Sequence, residues 1–289
     1  MAMNGENLTA ILLLSCPDQT GLVSRISEFI FKHGGNIIDL DEHVDLINDI
    51  FSIRVEWDMQ RFKIPPEDIE DAFSNVVTEF HANWKIRFSG TNMNIAIFVS
   101  KYEHCLLEIL WRHKLGEFPI NISLVISNHH DLEYLANQND IPFYHFPIND
   151  EKRSEIEEKE LGLLRKYQVE TIVLARYMQV LSPNFVSKYT NQIINIHHSF
   201  LPAFAGGNPY KQAYERGVKI IGATSHYVTE EIDEGPIIEQ DITRITHKDA
   251  IQDLIRKGRD LERIVLARAL HYHSEHRVLA HGKRTIVFD

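Results

Sequence analysis

The alternation of apolar and polar residues over the first ninety positions marks six elements. The runs TAILLLSC, NIIDLDEHVD, DIFSIRVEWD and WKIRFSG predict strands, and the middle two alternate as half-buried antiparallel strands do. Apolar residues at helical spacing over 22–30, and a run opened by prolines, PPEDIEDAFSNVVTEF, predict two helices between the strands. The order βαββαβ predicts a ferredoxin-like domain over residues 1–90.

The pattern changes after Ser89-Gly90-Thr91, which is the expected domain boundary. The runs NMNIAIFVS, INISLVIS, ETIVLAR and QIINIHH are continuously apolar, and helical stretches such as HCLLEILWRHKLG and RSEIEEKELGLLRKY separate them. Strands alternating with helices predict an α/β domain over residues 91–289 with a doubly wound, mostly parallel, Rossmann-like sheet. Two β-rich runs around TEEIDEG and a long amphipathic C-terminal helix complete it. Ligands of such sheets bind at the carboxyl ends of the strands.

Composition narrows the class of protein. The chain has 289 residues, 44% hydrophobic and 25% charged, as in ordinary globular proteins, and its formal charge of -11 argues against a nucleic-acid partner. Two distant cysteines, Cys16 and Cys105, make neither a disulfide framework nor a zinc ribbon, so we expect a reducing cytoplasm. No signal peptide or apolar run of about 18 residues is present, so no membrane partner is expected.

The candidate chemistry lies where the run IINI ends in polar residues. Asn195 and His197 are two apart, so on a strand their side chains leave the same face. An amide can donate to the oxygen that becomes negative in a tetrahedral intermediate, and an imidazole can move a proton near neutral pH. Asp233, in the TEEIDEG segment, can orient the imidazole or hold a water molecule. By itself the N-x-H pattern is a weak signal, since a surface-loop asparagine and a structural histidine also account for it.

A longer string resembles the signature of the folate-dependent formyltransferase family. The matching parts are N-x-H-x-S-x-L-P from Asn195 to Pro202, the strand GATSHYV, and D-x-G-P-I-I from Asp233. In that family the asparagine, histidine and aspartate of these strings are catalytic, so the resemblance implies the same for Asn195, His197 and Asp233. The resemblance also places four further residues on the substrate side: Ser199, Pro202, Gly206 and His226. Ser199 and Pro202 are expected to shape a loop, and His226 is expected to have a supporting role.

The segment LARYMQVLSPNF resembles the folate-binding loop of the same family, where main-chain groups hold the pterin ring. The residues on that loop are Met178, Gln179, Val180 and Leu181. Family members often carry a basic residue where Gln179 stands, and a bulkier, often basic residue near Gly207-Asn208, so the chain departs from the family at both places. Without the other matches, this segment reads as a plain turn from a strand to a helix.

The turn after the first strand of the second domain distinguishes formyl transfer to a nucleotide from hydrolysis. The nucleotide transformylases of this family have a Gly-rich turn there, because bare backbone N–H groups can approach a phosphate. Here the segment is SKYEHCLLEIL, without glycine and with the negative Glu103. Water is then the available acceptor. The sequence predicts hydrolysis of 10-formyltetrahydrofolate, as a substrate and with no cofactor, to tetrahydrofolate and formate. A glycinamide ribonucleotide formyltransferase is the alternative.

The N-terminal string CPDQTGLVSRISEFIFKHGGNI resembles the start of an ACT domain, a ligand-sensing module. Its entry loop, the expected effector site, consists of Asp18, Gln19, Thr20, Gly21 and Leu22. Free N–H groups at such a turn suit an amino-acid carboxylate, although Asp18 reads equally well as a helix N-cap. An ACT domain joined to a formyltransferase domain resembles formyltetrahydrofolate deformylases. That resemblance implies glycine or methionine as effector, balance of the one-carbon pool for purine synthesis, and a homo-oligomer, with a tetramer favoured.

Two further alternatives stay open on the residues. The first is a metal hydrolase using His197-His198, His226 and Asp233, but adjacent histidines on a strand point to opposite faces, and no H-E-x-x-H string occurs, so no metal is expected. The histidine pairs 129/130 and 271/273 are interpreted as loop and helix-surface residues. The second alternative is a non-catalytic amino-acid sensor. The sequence also does not decide which catalytic residue takes the first proton.

Overall fold

The computed structural model describes residues 8–147, 149–203 and 209–288. They form two compact units. Among the described residues, one unit consists of 8–91 with 276–279 and 286–288, and the other consists of 92–275, apart from the gaps at 148 and 204–208, with 280–285. None of the described helices combines the length and the apolar content needed to cross a membrane.

The first unit is a four-stranded antiparallel sheet with two helices. The strands are β1 (Thr9–Pro17), β2 (Asn36–Asp45), β3 (Ile50–Asp58) and β4 (Asn83–Phe88), and the helices are α1 (Leu22–Lys32) and α2 (Ile69–Val77). The order across the sheet is β2-β3-β1-β4. The βαββαβ prediction is confirmed, and the arrangement is consistent with an ACT-like domain.

Both faces of the central strands in this unit are covered. The apolar face of α1, with Leu22 and Ile26, packs into the core on one face. On the other face, Leu13 forms a cluster with Leu279 and Phe288, and the Nε atom of Arg54 donates to the carbonyl of residue 276 at 3.3 Å. Consequently β1 is buried over nearly its whole length, and β3 does not show the expected alternation.

The position of these C-terminal residues differs from the sequence-based division. The sequence predicts residues 91–289 as one continuous second domain, whereas 276–279 and 286–288 belong to the first unit. In the structure the N-terminal part of the first unit ends at Thr91. Local periodicity cannot reveal which of two sheets a terminal segment will cover, because it reports only that one side of the segment is apolar.

The second unit is an α/β domain around a seven-stranded sheet. Its strands are β5 (Met93–Val99), β6 (Ile120–Ser127), β7 (Phe143–His145), β8 (Thr171–Ala175), β9 (Ile193–His197), β10 (Ile220–Tyr227) and β11 (Ile237–Arg244). Its helices are α3 (His104–Lys114), α4 (Glu133–Gln138), α5 (Arg153–Lys166), α6 (Pro183–Ser187), α7 (Pro209–Arg216) and α8 (Ile251–Ser274). A separate two-stranded sheet pairs β12 (Val278–His281) with β13 (Arg284–Val287).

The order of the large sheet, β11-β10-β9-β8-β5-β6-β7, places β8 and β9 side by side. Strands β9, β8, β5, β6 and β7 run parallel, and β10 runs antiparallel to both of its neighbours. The predicted doubly wound, mostly parallel sheet is confirmed. The chain leaves β5 toward β6 on one side, and β8 lies on the other side, so a switch of direction opens a crevice at the carboxyl ends of these strands.

Candidate active site

Four polar side chains meet where β9 ends. Asn195 and His197 lie two apart on β9, as the sequence predicted, and His226 of β10 stands directly opposite Asn195 in the antiparallel pair. Residues paired in this way place their side chains on the same face of the sheet. The segment between β10 and β11 then returns Asp233 to the group, with its Oδ1 atom 3.1 Å from Nδ1 of His197 and 3.7 Å from Nε2 of His226.

The hydrogen bonds of His226 fix the orientation of the amide. Its Nδ1 atom lies 2.9 Å from the main-chain carbonyl of Tyr227, which can only accept, so Nδ1 carries the proton. In the neutral ring Nε2 is therefore an acceptor, and it receives a hydrogen bond from Nδ2 of Asn195 at 3.2 Å. One amide N–H of Asn195 is used in this way, and the second is left for a ligand.

His197 and Asp233 form a charge-assisted pair. The hydrogen bond from His197 holds the pKa of the Asp233 carboxyl far below its ordinary value, so the group is ionised at every working pH. An ionised carboxylate only accepts, which places a proton on Nδ1 of His197 and leaves Nε2 as the basic nitrogen. That Nε2 atom is buried and has no hydrogen-bond partner among the residues that the structure describes. Buried polar atoms without a partner are rare in native proteins, and contact with a substrate or with its attacking water explains this one.

The backbone of the Asp233 segment is tightly constrained. Asp233 itself has φ +59°, in the left-handed region that non-glycine residues seldom adopt and that is enriched at functional sites. Two residues on, a Cβ atom at Gly235 would lie 1.7 Å from the carbonyl oxygen of Tyr227. That carbonyl is the one that holds His226, so the glycine lets the two main-chain segments approach closely enough to assemble the site.

The same residues line a cavity of about 510 Å³. Asn195, His197 and Asp233 lie in its wall with His226, and the predicted folate loop forms another part of the lining through Met178, Gln179, Val180 and Leu181. The catalytic and folate-loop predictions, made from separate strings, therefore converge on one concave site. The cavity is of the size that small-molecule sites usually have, on the order of 300–1,000 Å³.

The folate loop is anchored at both ends and unpaired in its middle. The N–H of Met178 donates to the Ser100 hydroxyl at 3.0 Å, and the N–H of Ser182 donates to Oε1 of Glu157 at 2.9 Å, while the Ser182 hydroxyl donates to the other carboxylate oxygen. Between the anchors, the main-chain groups of residues 179–181 make no hydrogen bond within the described ranges. The Gln179 amide donates to the carbonyl of Met178 at 2.7 Å. Exposed main-chain groups that line a cavity are available to a ligand.

The remaining substrate-side predictions lie elsewhere. The Ser199 hydroxyl is buried and donates to the carbonyl of Ala203 at 2.9 Å, and the Ser199 carbonyl accepts from Thr224 at 2.8 Å. Neither Ser199 nor Pro202 lines the large cavity, so both belong to the turn that follows β9. This agrees with a loop-shaping role and not with direct contact. Gly206 lies outside the described residues.

The expected effector loop adjoins a cavity of about 350 Å³ in the first unit. Asp18, Gln19, Gly21 and Leu22 line it, whereas Thr20 does not. Gly21 has φ +91° and begins α1 without a side-chain cap. The first N–H groups of the helix are thus free of the side chain that commonly satisfies them.

The sequence reading overlooked a buried ionic cluster behind the active site. Glu262 of α8 is 1% exposed, and it accepts from the Tyr210 hydroxyl at 2.6 Å and from Nε2 of His104 at 2.8 Å. Nε of Arg176 lies 3.3 Å from the same carboxylate. The detectable signal was an acid on the apolar side of α8. A second error concerns His273, which is buried and contacts the Tyr227 hydroxyl at 2.7 Å, so the helix-surface interpretation was wrong.

The metal alternative gains no support from the geometry. Where the structure describes the chain, the group of potential metal ligands is His104, Cys105 and Glu262, not the histidines of β9. The Arg176 guanidinium lies against that carboxylate and competes with a cation. His198, a member of the proposed metal set, packs its ring against Tyr210, with centroids 5.9 Å apart.

Known proteins resemble this chain in sequence and in fold. The family model described as formyl transferase matches residues 93–270. Formyltetrahydrofolate deformylase from Synechocystis sp. is 52% identical over 283 residues, which are 98% of this chain and 99% of that protein. The crystal structure of a formyltetrahydrofolate deformylase from Pseudomonas syringae pv. tomato covers 99% of this chain, over 96% of its own, with a TM-score of 0.96 and 41% identity. The chain belongs to the formyltetrahydrofolate deformylase family.

Transformylases resemble this chain over less of its length. Glycinamide ribonucleotide transformylase 1 from Symbiobacterium toebii is 31% identical and has a TM-score of 0.65, and the match covers 70% of this chain and 97% of that one. The part of this chain that the match leaves uncovered is roughly as long as a second domain. Membership of the deformylase family, which spans the whole chain, confirms the interpretation drawn from the two joined motifs.

Proposed function

We propose that this protein hydrolyses 10-formyltetrahydrofolate to tetrahydrofolate and formate. The observation that carries the proposal is the convergence of Asn195, the His197–Asp233 pair and the unpaired folate loop on one cavity. A carbonyl held at the end of β9 meets an amide donor, a basic imidazole nitrogen and a permanent negative charge. These are the groups needed to add water to a formamide.

In the first step a water oxygen bonds to the formyl carbon. Nε2 of His197 takes the proton of that water, because Nδ1 already carries a proton that is directed at Asp233. The Asp233 carboxylate stabilises the imidazolium that results. The carbonyl oxygen becomes negative, and the free amide N–H of Asn195 donates to it, since His226 holds the other N–H.

In the second step the bond between the formyl carbon and N10 breaks. The electron pair goes to N10, and the imidazolium of His197 returns its proton there, so tetrahydrofolate leaves with its secondary amine restored. Formic acid remains and loses a proton at neutral pH, so that formate is released. His226 acts as a positioning residue, because it contacts the amide and not the reacting atoms.

The turn after β5 favours water over a nucleotide as acceptor. Glu103 precedes α3, and its carboxylate accepts from the Tyr134 hydroxyl at 2.8 Å. The neighbouring Tyr102 ring lies under the Arg176 guanidinium at 5.3 Å. A carboxylate and an aromatic ring thus occupy the turn where a phosphate-binding loop needs bare N–H groups.

The test is release of formate without an acceptor. Purified protein with 10-formyltetrahydrofolate is expected to yield tetrahydrofolate and formate in equal amounts, and glycinamide ribonucleotide is expected to leave the rate unchanged. Turnover that requires the ribonucleotide would make the protein a transferase. Absence of turnover under both conditions would overturn the proposal and favour an amino-acid sensor.

We further propose the finer points that the family suggests: a cytoplasmic homo-oligomer, with a tetramer favoured, that senses glycine or methionine and supplies formate for purine synthesis. Uncapped N–H groups at the start of α1 support a carboxylate ligand in the smaller cavity. Strand β2 is a sheet edge that exposes Ile38 and Leu40, which supports pairing with a second copy. Light scattering and calorimetry with each amino acid test these points.

A further inference from the structure

A second cavity, of about 180 Å³, adjoins the catalytic one. The two share Tyr102, Arg176 and His198, and His198 connects them because its ring centroid is 5.2 Å from that of His197 and 5.9 Å from that of Tyr210. The cavity is smaller than the catalytic one and has room for a small ligand together with water molecules. No step of the proposed hydrolysis uses this cavity.

The two cavities differ in the sign of their charge. Asp233, Glu230 and Glu231 line the catalytic cavity, against the single guanidinium of Arg176. The second cavity is lined by Arg176, Arg259 and Lys211, against the single carboxylate of Glu262. An anion formed beside Asp233 therefore gains electrostatic free energy by moving toward the second cavity.

The guanidinium of Arg176 is held so that its far end remains available. Its side chain is 10% exposed, its Nε atom lies 3.3 Å from Glu262, and its carbon lies 5.3 Å above the Tyr102 ring. Hydroxyl and imidazole donors from Tyr210 and His104 take up much of the remaining acceptor capacity of Glu262. Over the described residues, the terminal nitrogens of Arg176 have no hydrogen-bond partner.

Arg259 completes the pair from the other side. Its guanidinium lies 5.4 Å from the same Tyr102 ring, and no ion pair or hydrogen bond joins it to another residue in the described part of the chain. Burial, and then the charge of Arg176, lower the pKa of His198 to about 4, so this ring is neutral at physiological pH and adds no further cation. The cavity thus has two guanidinium groups with unused donors.

We propose that this second cavity binds formate, the product of the proposed hydrolysis, through Arg176 and Arg259, and that formate passes through it on release. The inference rests on the proposed function. Hydrolysis leaves formate next to the ionised Asp233, where like charge repels it. A guanidinium matches the two oxygens of a carboxylate with two parallel donors. Because the two cavities are distinct, tetrahydrofolate and formate are expected to bind together.

The substitution Arg259→Gln tests the site, since Arg259 lines the second cavity and not the catalytic one. Arg256→Gln is the matched control: it lies one turn earlier on α8, pairs with Asp253 and is largely exposed. Formate is expected to inhibit the wild type noncompetitively against 10-formyltetrahydrofolate. Its inhibition constant is expected to rise about tenfold in R259Q, the loss of one strong charge-assisted contact, and to stay constant in R256Q.

Direct binding separates this inference from the proposed function. Line broadening of ¹³C-formate by the protein with tetrahydrofolate needs no turnover, and it is expected in the wild type and R256Q but weakened in R259Q. Equal broadening in R259Q, or purely competitive inhibition that R259Q leaves unchanged, would overturn the inference while hydrolysis by the wild type still stood. If R259Q raises the KM for 10-formyltetrahydrofolate but not the KM for its analogue without the glutamate tail, the second cavity binds the folate tail and not formate.

Discussion

The catalytic cavity and the cavity beside the effector loop are built in opposite ways. In the catalytic cavity the working groups are side chains at the ends of two paired strands, and Asn195, His226, His197 and Asp233 are held in order by mutual hydrogen bonds. In the cavity beside the proposed effector loop, the available groups are main-chain N–H groups at the start of a helix, and the flanking loop is mostly exposed. Chemistry needs fixed, partly buried side chains, whereas recognition of a carboxylate needs only directed donors.

The difference predicts that substitutions in the two regions act on different quantities. Changes around β9 should alter turnover, because each side chain there touches the reacting atoms or holds one that does. Under the proposed effector role, changes near α1 should alter only the response to an amino acid. A large loss of basal turnover from the effector loop would break this comparison.

The largest expected effect comes from the triplet. Asn195→Ala, His197→Ala and Asp233→Asn should each lower kcat by at least about a hundredfold, because each removes a group that stabilises the transition state or moves a proton. Steady-state formate release measures this, and circular dichroism checks that the fold is retained. Turnover within about threefold of wild type at any one position would remove that residue from the mechanism.

A smaller loss is expected from His226→Ala. Without the Nε2 acceptor the Asn195 amide can rotate away from the formyl oxygen, so kcat should fall about tenfold while KM changes little, since positioning matters most in the transition state. Partial recovery in His226→Gln, whose side chain can again accept from the amide, would distinguish positioning from general damage. A KM effect alone would contradict the role.

Gly235→Ala tests the close approach of the two main-chain segments. The added methyl group would clash with the Tyr227 carbonyl, so the Asp233 segment must shift. The free energy of unfolding should fall by about 1–3 kcal/mol, and turnover should be lost because Asp233 moves. Gly162→Ala in α5 is the control, because its Cβ meets nothing within 4 Å, and it should stabilise by about 0.5–1 kcal/mol. Thermal unfolding compares the two, and equal stability would show that the segment tolerates a side chain.

The smallest effect on turnover is expected at Glu160, where burial, and then the charge of Glu157, raise the pKa from 4.5 to about 8. A carboxyl with a raised pKa binds more protons folded than unfolded, so its stabilising effect is complete below pH 4.5 and is lost as the pH rises through about 8. Glu160→Gln should therefore raise Tm at pH 8.5, by about 2–4 °C for each kcal/mol that it adds to the free energy of unfolding. At pH 4.5 it should leave Tm nearly unchanged. A uniform shift at both values would exclude this cause.

Much of the fold could be predicted because it is written in local periodicity. The apolar runs identified the four strands of the first unit and the strands of the parallel sheet, and the helical spacing identified α1, α3, α5 and α8. The triplet was accessible as well, because Asn195 and His197 share one strand and Asp233 lies in a recognisable string. Their convergence in one cavity followed from the rule that strand ends form the site.

The sequence by itself thus determined the elements, their order and the residue types delivered to the end of β9, since these depend on neighbours along the chain. Only the tertiary structure decided which terminal residues cover the first sheet, that Ser199 faces the turn and not the cavity, and that Glu262 joins Arg176 and His104. Those outcomes depend on contacts between residues far apart in sequence. Burial and hydrogen bonding are settled by such contacts, and no local pattern encodes them.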